Sequence, residues 1–241
     1  VALFLHGDVA AAARFLERAM SRSSTDTEFL RGTSFICNAL GLTSEAMAMR
    51  AYVVDRDPTC MQCRYMLAAS YRDEGLFEQA ETMMQSAVDL LPDDSAFRFA
   101  LARIQLLNGK PQLALDWATT RDNRHENQAQ LVVAKARHGL GQVAEARAIL
   151  MEQAEDAGEE MPIATAEAFA WIGEKDRAFE YLARPAVRED IYGQWHSAFF
   201  RPLHDDARWA ELLERYGLAP HQLAALDLDI RLPPGVTIVH R

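Results

Sequence analysis

Residues 61–94 read MQCRYMLAASYRDEGLFEQAETMMQSAVDLLPDD, and this stretch decides the fold. Its first half, Met61 to Gly75, places Leu67, Ala68 and Tyr71 on one helical face. Its second half, Phe77 to Leu91, does the same with Ala80, Met84, Ala87 and Val88. Spacings of three and four are the period of an amphipathic helix. Gly75 falls between the halves, where a helix end favours a left-handed residue, and Pro92 stops the second helix. The stretch therefore predicts two antiparallel helices joined by a short turn.

Working outward, the same punctuation recurs. A glycine is followed five residues later by an alanine at Gly7/Ala12, Gly41/Ala46, Gly75/Ala80, Gly109/Ala114, Gly141/Ala146 and Gly173/Ala178. The glycine intervals are 34, 34, 34, 32 and 32 residues. A fixed period in this range marks a stack of repeats. Ser34, Ala68, Ala102, Ala134 and Ala166 each fall seven residues before the glycine. Small side chains at both places let paired helices approach closely, and a larger one would overpack the contact.

Leu67, Ala68, Tyr71, Gly75, Ala80, Met84, Ala87 and Pro92 together resemble the tetratricopeptide repeat. Arg64 stands where that family has its first-helix tryptophan. The resemblance covers about residues 1–185. It implies an all-α superhelix of about five to six helix pairs, right-handed, with residues 186–241 as a cap and tail. It says little about ligand, because the matching residues are packing residues.

Composition narrows the function. The chain has 241 residues, 49% of them hydrophobic, and a formal net charge of −10. That charge argues against general affinity for nucleic acid or an anionic membrane, both of which favour clustered Lys and Arg. No apolar run approaches the ~18 residues that suggest a membrane span. Val1–His6 reads as the end of a first helix before Gly7. A solenoid normally ends in a polar cap, so the expectation is a fragment whose output domain lies upstream.

Beyond Ala186 the repeat signal fades. Phe199, Phe200, Pro202, Leu203, Trp209, Leu212, Leu213 and Tyr216 form an apolar cluster. Asp205 and Asp206 suit the start of a helix over Ala207–Tyr216, and Gly217 suits its end. This is expected to cap the last repeat. Leu226, Leu228, Ile230 and Leu232 then alternate with Asp227, Asp229 and Arg231, a strand period, and Pro233-Pro234-Gly235 reads as a turn before β-prone Val236–Val239. A small hairpin is expected there.

The run Phe199-Phe200-Arg201-Pro202-Leu203-His204-Asp205-Asp206-Ala207-Arg208-Trp209, with Leu212-Leu213 and Gly217-Leu218, is similar to the ending of tetratricopeptide regions in bacterial CadC-like and TolB-like regulators and in repeat-linked adenylate cyclases and kinases. Asp57-Pro58-Thr59-Cys60-Met61-Gln62-Cys63 and Gly173-Glu174-Lys175-Asp176-Arg177-Ala178-Phe179 fit the same group. That resemblance implies an accessory sensing or protein-contact module, with the catalytic or DNA-binding domain N-terminal to it.

Few motifs point to chemistry. Cys60 and Cys63 could be a structural pair, a disulfide or half a metal site. A zinc site needs four ligands, and Cys37 is the one further cysteine. The seven histidines show no metal spacing. Glu159-Glu160 and Asp205-Asp206 read as solvated and helix-start residues rather than an acid/base pair. Gly139-Leu140-Gly141 lacks the strand and third glycine of a phosphate loop. No metal, cofactor or reaction is expected.

The groove is the better candidate. In such a stack the first helix of each unit lines the concave side. By the register above, Arg31, Asn38, Gln62, Tyr65, Arg72, Phe99, Arg103, Lys135 and His138 point there. Four of the nine carry a fixed positive charge, which suits an acidic or extended peptide from a protein partner, including the upstream domain. Two other readings stand beside it: a spacer or oligomerisation arm whose groove is empty or self-filled, and an enzyme.

Overall fold

The computed structural model describes residues 8–119, 126–158 and 160–238. Gly7, the Val1–His6 helix end and Val239 lie outside the described residues. All regular structure among the described residues is helical. Twelve helices precede a short 3-10 helix: α1 (Val9–Met20), α2 (Thr27–Ala39), α3 (Thr43–Arg56), α4 (Met61–Glu74), α5 (Phe77–Leu90), α6 (Ser95–Leu107), α7 (Pro111–Ala118), α8 (Glu126–Gly139), α9 (Val143–Ala157), α10 (Pro162–Trp171), α11 (Lys175–Leu182) and α12 (Val187–Gln194). The 3-10 helix covers Ala198–Leu203, and α13 (Ala207–Tyr216) and α14 (Pro220–Ala224) follow.

One turn is built five times among the described residues. Gly41, Gly75, Gly109, Gly141 and Gly173 have φ of 80°, 84°, 71°, 81° and 85°. Only glycine takes up that left-handed backbone freely. The amide after each glycine bonds back across the helix end: Leu42 to Cys37, Leu76 to Tyr71, Lys110 to Gln105, Gln142 to Arg137 and Glu174 to Phe169, at 2.8–2.9 Å. This is the Schellman arrangement, and it satisfies carbonyls that a helix end leaves bare. The next helix begins at once.

The small residues do what their spacing demands. Ala46, Ala80, Ala114, Ala146 and Ala178 have no exposed surface, and neither do Ser34, Ala68, Ala134 and Ala166; Ala102 keeps 1%. In the pairs α2–α3, α6–α7, α8–α9 and α10–α11 they sit where the two helices meet. Ala80→Leu is expected to lose about 1–3 kcal/mol by overpacking a fully buried site. Chemical denaturation reads the loss, and an unchanged midpoint would break the register.

The chain forms two compact units. The first comprises residues 1–70, 188–196 and 205–241, and the second residues 71–187 and 197–204. In the first, Gly217 closes α13 with φ 72° and faces Val9 of α1. Trp209, Leu212 and Leu213 of α13 are buried in this unit. The aromatic run is thus shared out, because Phe199, Phe200 and Leu203 are buried in the second unit.

The expected C-terminal hairpin does not form among the described residues. Leu226, Leu228, Ile230 and Leu232 are half-buried while Asp227, Asp229 and Arg231 are exposed, so the alternation survives as one-sided burial. No second strand bonds to it, and two strands alone are marginal in water. A turn takes its place: Val236 N donates to the Pro233 carbonyl at 3.0 Å, Val236 is 5% exposed, and Gly235 faces Tyr52 of α3.

Candidate functional site

In the second unit, the first helices of three successive hairpins are α6, α8 and α10. α6 carries Phe99 and Arg103, and α8 carries Lys135 and His138. α10 is PIATAEAFAW, an apolar helix broken by one carboxylate, Glu167. Asp94 caps α6 by accepting from the Ala96 and Phe97 amides. Pro111 opens α7 and Pro162 opens α10, at a position where a missing N–H costs nothing.

These helices present a face that the chain itself fills. The segment Ser197–Leu203 lies on it, with Phe199, Phe200 and Leu203 fully buried. The Phe199 ring is edge-on to Trp171 at 5.5 Å between centroids. Arg103 lies 5.0 Å and the Lys135 ammonium 4.3 Å from the Phe199 centroid. Both are cation–π distances. Beneath Phe199, Ala102, Leu106, Ala114, Ala118, Val132 and Ala136 form the core.

Polar bonds fix the segment at both ends. Glu167 uses one oxygen to accept from the Ser197 hydroxyl and the other to pair with Arg103 at 2.6 Å. The Ala198 amide donates to the Asp73 carboxylate at 3.3 Å, and Arg201 donates to the Asp73 carbonyl at 2.9 Å. The Arg201 guanidinium lies so close to Gly75 that a Cβ there would meet it at 3.1 Å. Arg72 pairs with Asp73 through two bonds of 2.8 and 2.9 Å.

The electrostatics follow from burial. Lys135 is 2% exposed. Burial pulls its ammonium down from the ordinary 10.5 to about 7; the Arg103 charge adds to the fall and Glu167 opposes it. Burial pushes the Glu167 carboxyl up, but the Arg103 and Lys135 charges and the Ser197 hydroxyl outweigh it and hold the group below its ordinary range. One carboxylate thus serves two cations. A depressed lysine is a group that nucleophilic catalysis uses, yet here its ammonium is sealed under Phe199.

The nine residues nominated from the sequence fare differently. In the second unit Phe99, Arg103 and Lys135 come together, but around Phe199; Phe99 also leans on Trp117, 5.7 Å away. Lys135 presents no surface to a partner. Arg72 is only 13% exposed and is engaged by Asp73. His138 is half-buried, and its Nδ1 is buried without a hydrogen-bond partner.

In the first unit, Arg31 of α2 keeps 41% of its side chain exposed and pairs with Glu28 one turn back. Gln62 of α4 is exposed and Tyr65 half-buried. The Asn38 carbonyl is bonded to His196, and Trp195 donates to the Ala39 carbonyl at 3.2 Å. Phe35 is 36% exposed.

Sequence reasoning missed Glu167, Ser197 and Phe199. The signal for Glu167 was its isolation in α10, since a lone carboxylate among apolar residues must find a buried partner. The docking of Phe199 had no local signal.

An open cleft along α5 is lined by Glu78, Glu81, Thr82, Gln85, Ser86, Asp89 and Lys110, with Lys110 bound to Glu81 at 2.8 Å. Among the described residues no group of three or more His, Cys, Asp or Glu is placed to hold a metal ion, and no helix is long and apolar enough to cross a membrane. Cys60 and Cys63 are joined as a disulfide, which settles their pairing.

Comparison with known proteins agrees with the repeat. A tetratricopeptide repeat family matches residues 61–86. The match falls in the stretch where the period is clearest. A solved complex described as "Structure of Naa15/Naa10 bound to HypK-THB" aligns with 95% of this chain, at 17% identity and a TM-score of 0.41. The chain spans 38% of the length of that structure's chain. No curated protein matches the sequence.

Proposed function

We propose that the chain is a non-catalytic protein-interaction scaffold, and that its contact surface lies on the first-helix residues Arg31, Gln62 and Tyr65 of the first unit. The observation that carries this is the contrast between the two sets of nominated residues. In the second unit Phe99, Arg103 and Lys135 are spent on the chain's own Ser197–Leu203 segment and Arg72 is paired with Asp73, whereas Arg31 and Gln62 keep exposed surface. A guanidinium, an amide and a phenol suit an extended peptide with an acidic residue. The repeat at 61–86 supports a protein partner. The Phe199–Trp209 run supports a place within a bacterial signalling or transcription-regulatory protein, where an upstream effector domain is a natural partner.

The spacer reading is favoured in one respect, since the second unit's first-helix face is self-filled. The two readings separate in solution. Arrayed peptides pairing Asp or Glu with aromatic residues should bind the wild-type chain. The triple variant Arg31→Ala, Gln62→Ala, Tyr65→Ala should bind at least about tenfold more weakly, a loss of ~1.4 kcal/mol. The charge-dependent part should fade with added salt. Equal binding, or none by either protein, leaves the spacer reading in possession.

A further inference from the structure

We infer that Cys60 and Cys63 form a reversible thiol–disulfide exchange site at the start of α4, with a thiol or dithiol reductant and its disulfide as co-reactants. The geometry assigns the two sulfurs different roles. Cys60 immediately precedes Met61, the first residue of α4, and its carbonyl accepts from the Arg64 amide at 3.1 Å. The first amides of a helix lack intrahelical acceptors and point toward this position. One of them, Cys63 N–H, donates to the Cys60 sulfur at 3.2 Å. In the dithiol state that bond and the positive end of α4 favour a Cys60 thiolate, the nucleophilic form. Cys60 is half-buried and Cys63 is 4% exposed, so Cys60 is the more accessible of the two to an incoming thiolate.

The surrounding charges are few. Asp57 is held ionised by the Thr59 hydroxyl and by main-chain amides, with its pKa below the ordinary value. Arg64 donates to the Pro58 carbonyl at 2.7 Å, which brings a fixed cation to the same turn. The third cysteine is an internal control. Cys37 has no exposed surface, and burial, aided by the Glu45 charge, pushes its thiol up to about 12. It holds no thiolate near neutral pH.

The chemistry balances. In the reducing direction a reductant thiolate attacks Cys60 Sγ. The Cys60–Cys63 bond breaks, and its electron pair leaves on Cys63 Sγ, which takes up a proton. A second reductant thiolate attacks the reductant's own sulfur in the mixed disulfide, and Cys60 departs as the thiolate held by Cys63 N–H. Two electrons and one proton enter the protein, and two reductant thiolates become one disulfide. Oxidation runs the same steps backward, with Cys60 attacking and Cys63 resolving. Gln62 lies between the two cysteines and Tyr65 just beyond, so the redox state sets how firmly this turn is held.

The test uses the full chain in glutathione buffers of graded reduced-to-oxidised ratio, quenched in acid and alkylated for mass spectrometry. Cys60 and Cys63 should gain adducts together as reduced glutathione rises and lose them on re-oxidation, while Cys37 stays unlabelled until the protein unfolds. Hydrogen exchange of amides 61–65 should quicken in the reduced form. Cys63→Ser should trap glutathione on Cys60, and Cys60→Ser should trap little on Cys63. Labelling of both cysteines in the oxidised buffer, or a disulfide that opens only on unfolding, would overturn the assignment; so would equal trapping by the two variants.

Discussion

Glu167→Gln should destabilise the protein by about 3–5 kcal/mol, the usual consequence of removing one partner from a buried ionic cluster. Glu167 is 1% exposed and is the carboxylate between Arg103 and Lys135. Glutamine keeps the shape and part of the bond to Ser197, but leaves the Arg103 guanidinium without its counter-charge and takes away the charge that supports the Lys135 ammonium. Lys135→Met should be far milder, because it removes the surplus cation and fills a similar volume. The pair of variants also separates on pH. The folded-state pKa of Lys135 is depressed to about 7 from 10.5. Between those values the unfolded chain holds a proton that the folded chain does not, so this group's contribution to stability rises with pH. The difference in stability between wild type and Lys135→Met should therefore shift in favour of wild type from pH 7 towards 10. Glu167 acts on the acid side. Its folded pKa is lowered, so its contribution is present above about 4.5 and is lost as pH falls further. Denaturant titrations across this range check both signs, and a flat difference for Lys135→Met would show that the lysine titrates normally.

Phe199→Ala should cost about 3–5 kcal/mol, as for other fully buried phenylalanines. The ring fills space above Ala102, Val132 and Ala136, meets Trp171 edge-on, and receives the Lys135 ammonium. Truncation leaves a void there and takes away the lysine's aromatic contact. Phe99 should be less sensitive, since it is only half-buried. The comparison of the two midpoints is the measurement, and similar small losses at both positions would mean that Ser197–Leu203 is not seated on α6, α8 and α10.

The hairpins were legible because their determinants are local. A left-handed glycine, an alanine five residues on and a small residue seven before define one turn and its crossing, and Gly109, Ala114 and Ala102 show all three. The contact face was only half legible. Helical spacing put Arg103 and Lys135 on first helices, where they are. It could not say what covers them, because the cover comes from 64 positions further along, Glu167 for Arg103 and Phe199 for Lys135. Positive charge on an acidic chain suggested an anionic ligand, whereas the structure answers it with Glu167 and an aromatic ring. The tail erred in the opposite sense. The Leu226–Leu232 alternation foretold an extended segment with one buried side, but period two alone does not supply a strand to pair with.

The second unit's first-helix face is closed by the chain's own Phe199 against Lys135. A double-mutant cycle of Phe199→Ala and Lys135→Met tests it most directly, read by denaturant unfolding at pH 6, where the lysine is charged. The contact predicts non-additive losses, with a coupling of about 0.5–2 kcal/mol. Losses that add within about 0.3 kcal/mol would contradict it.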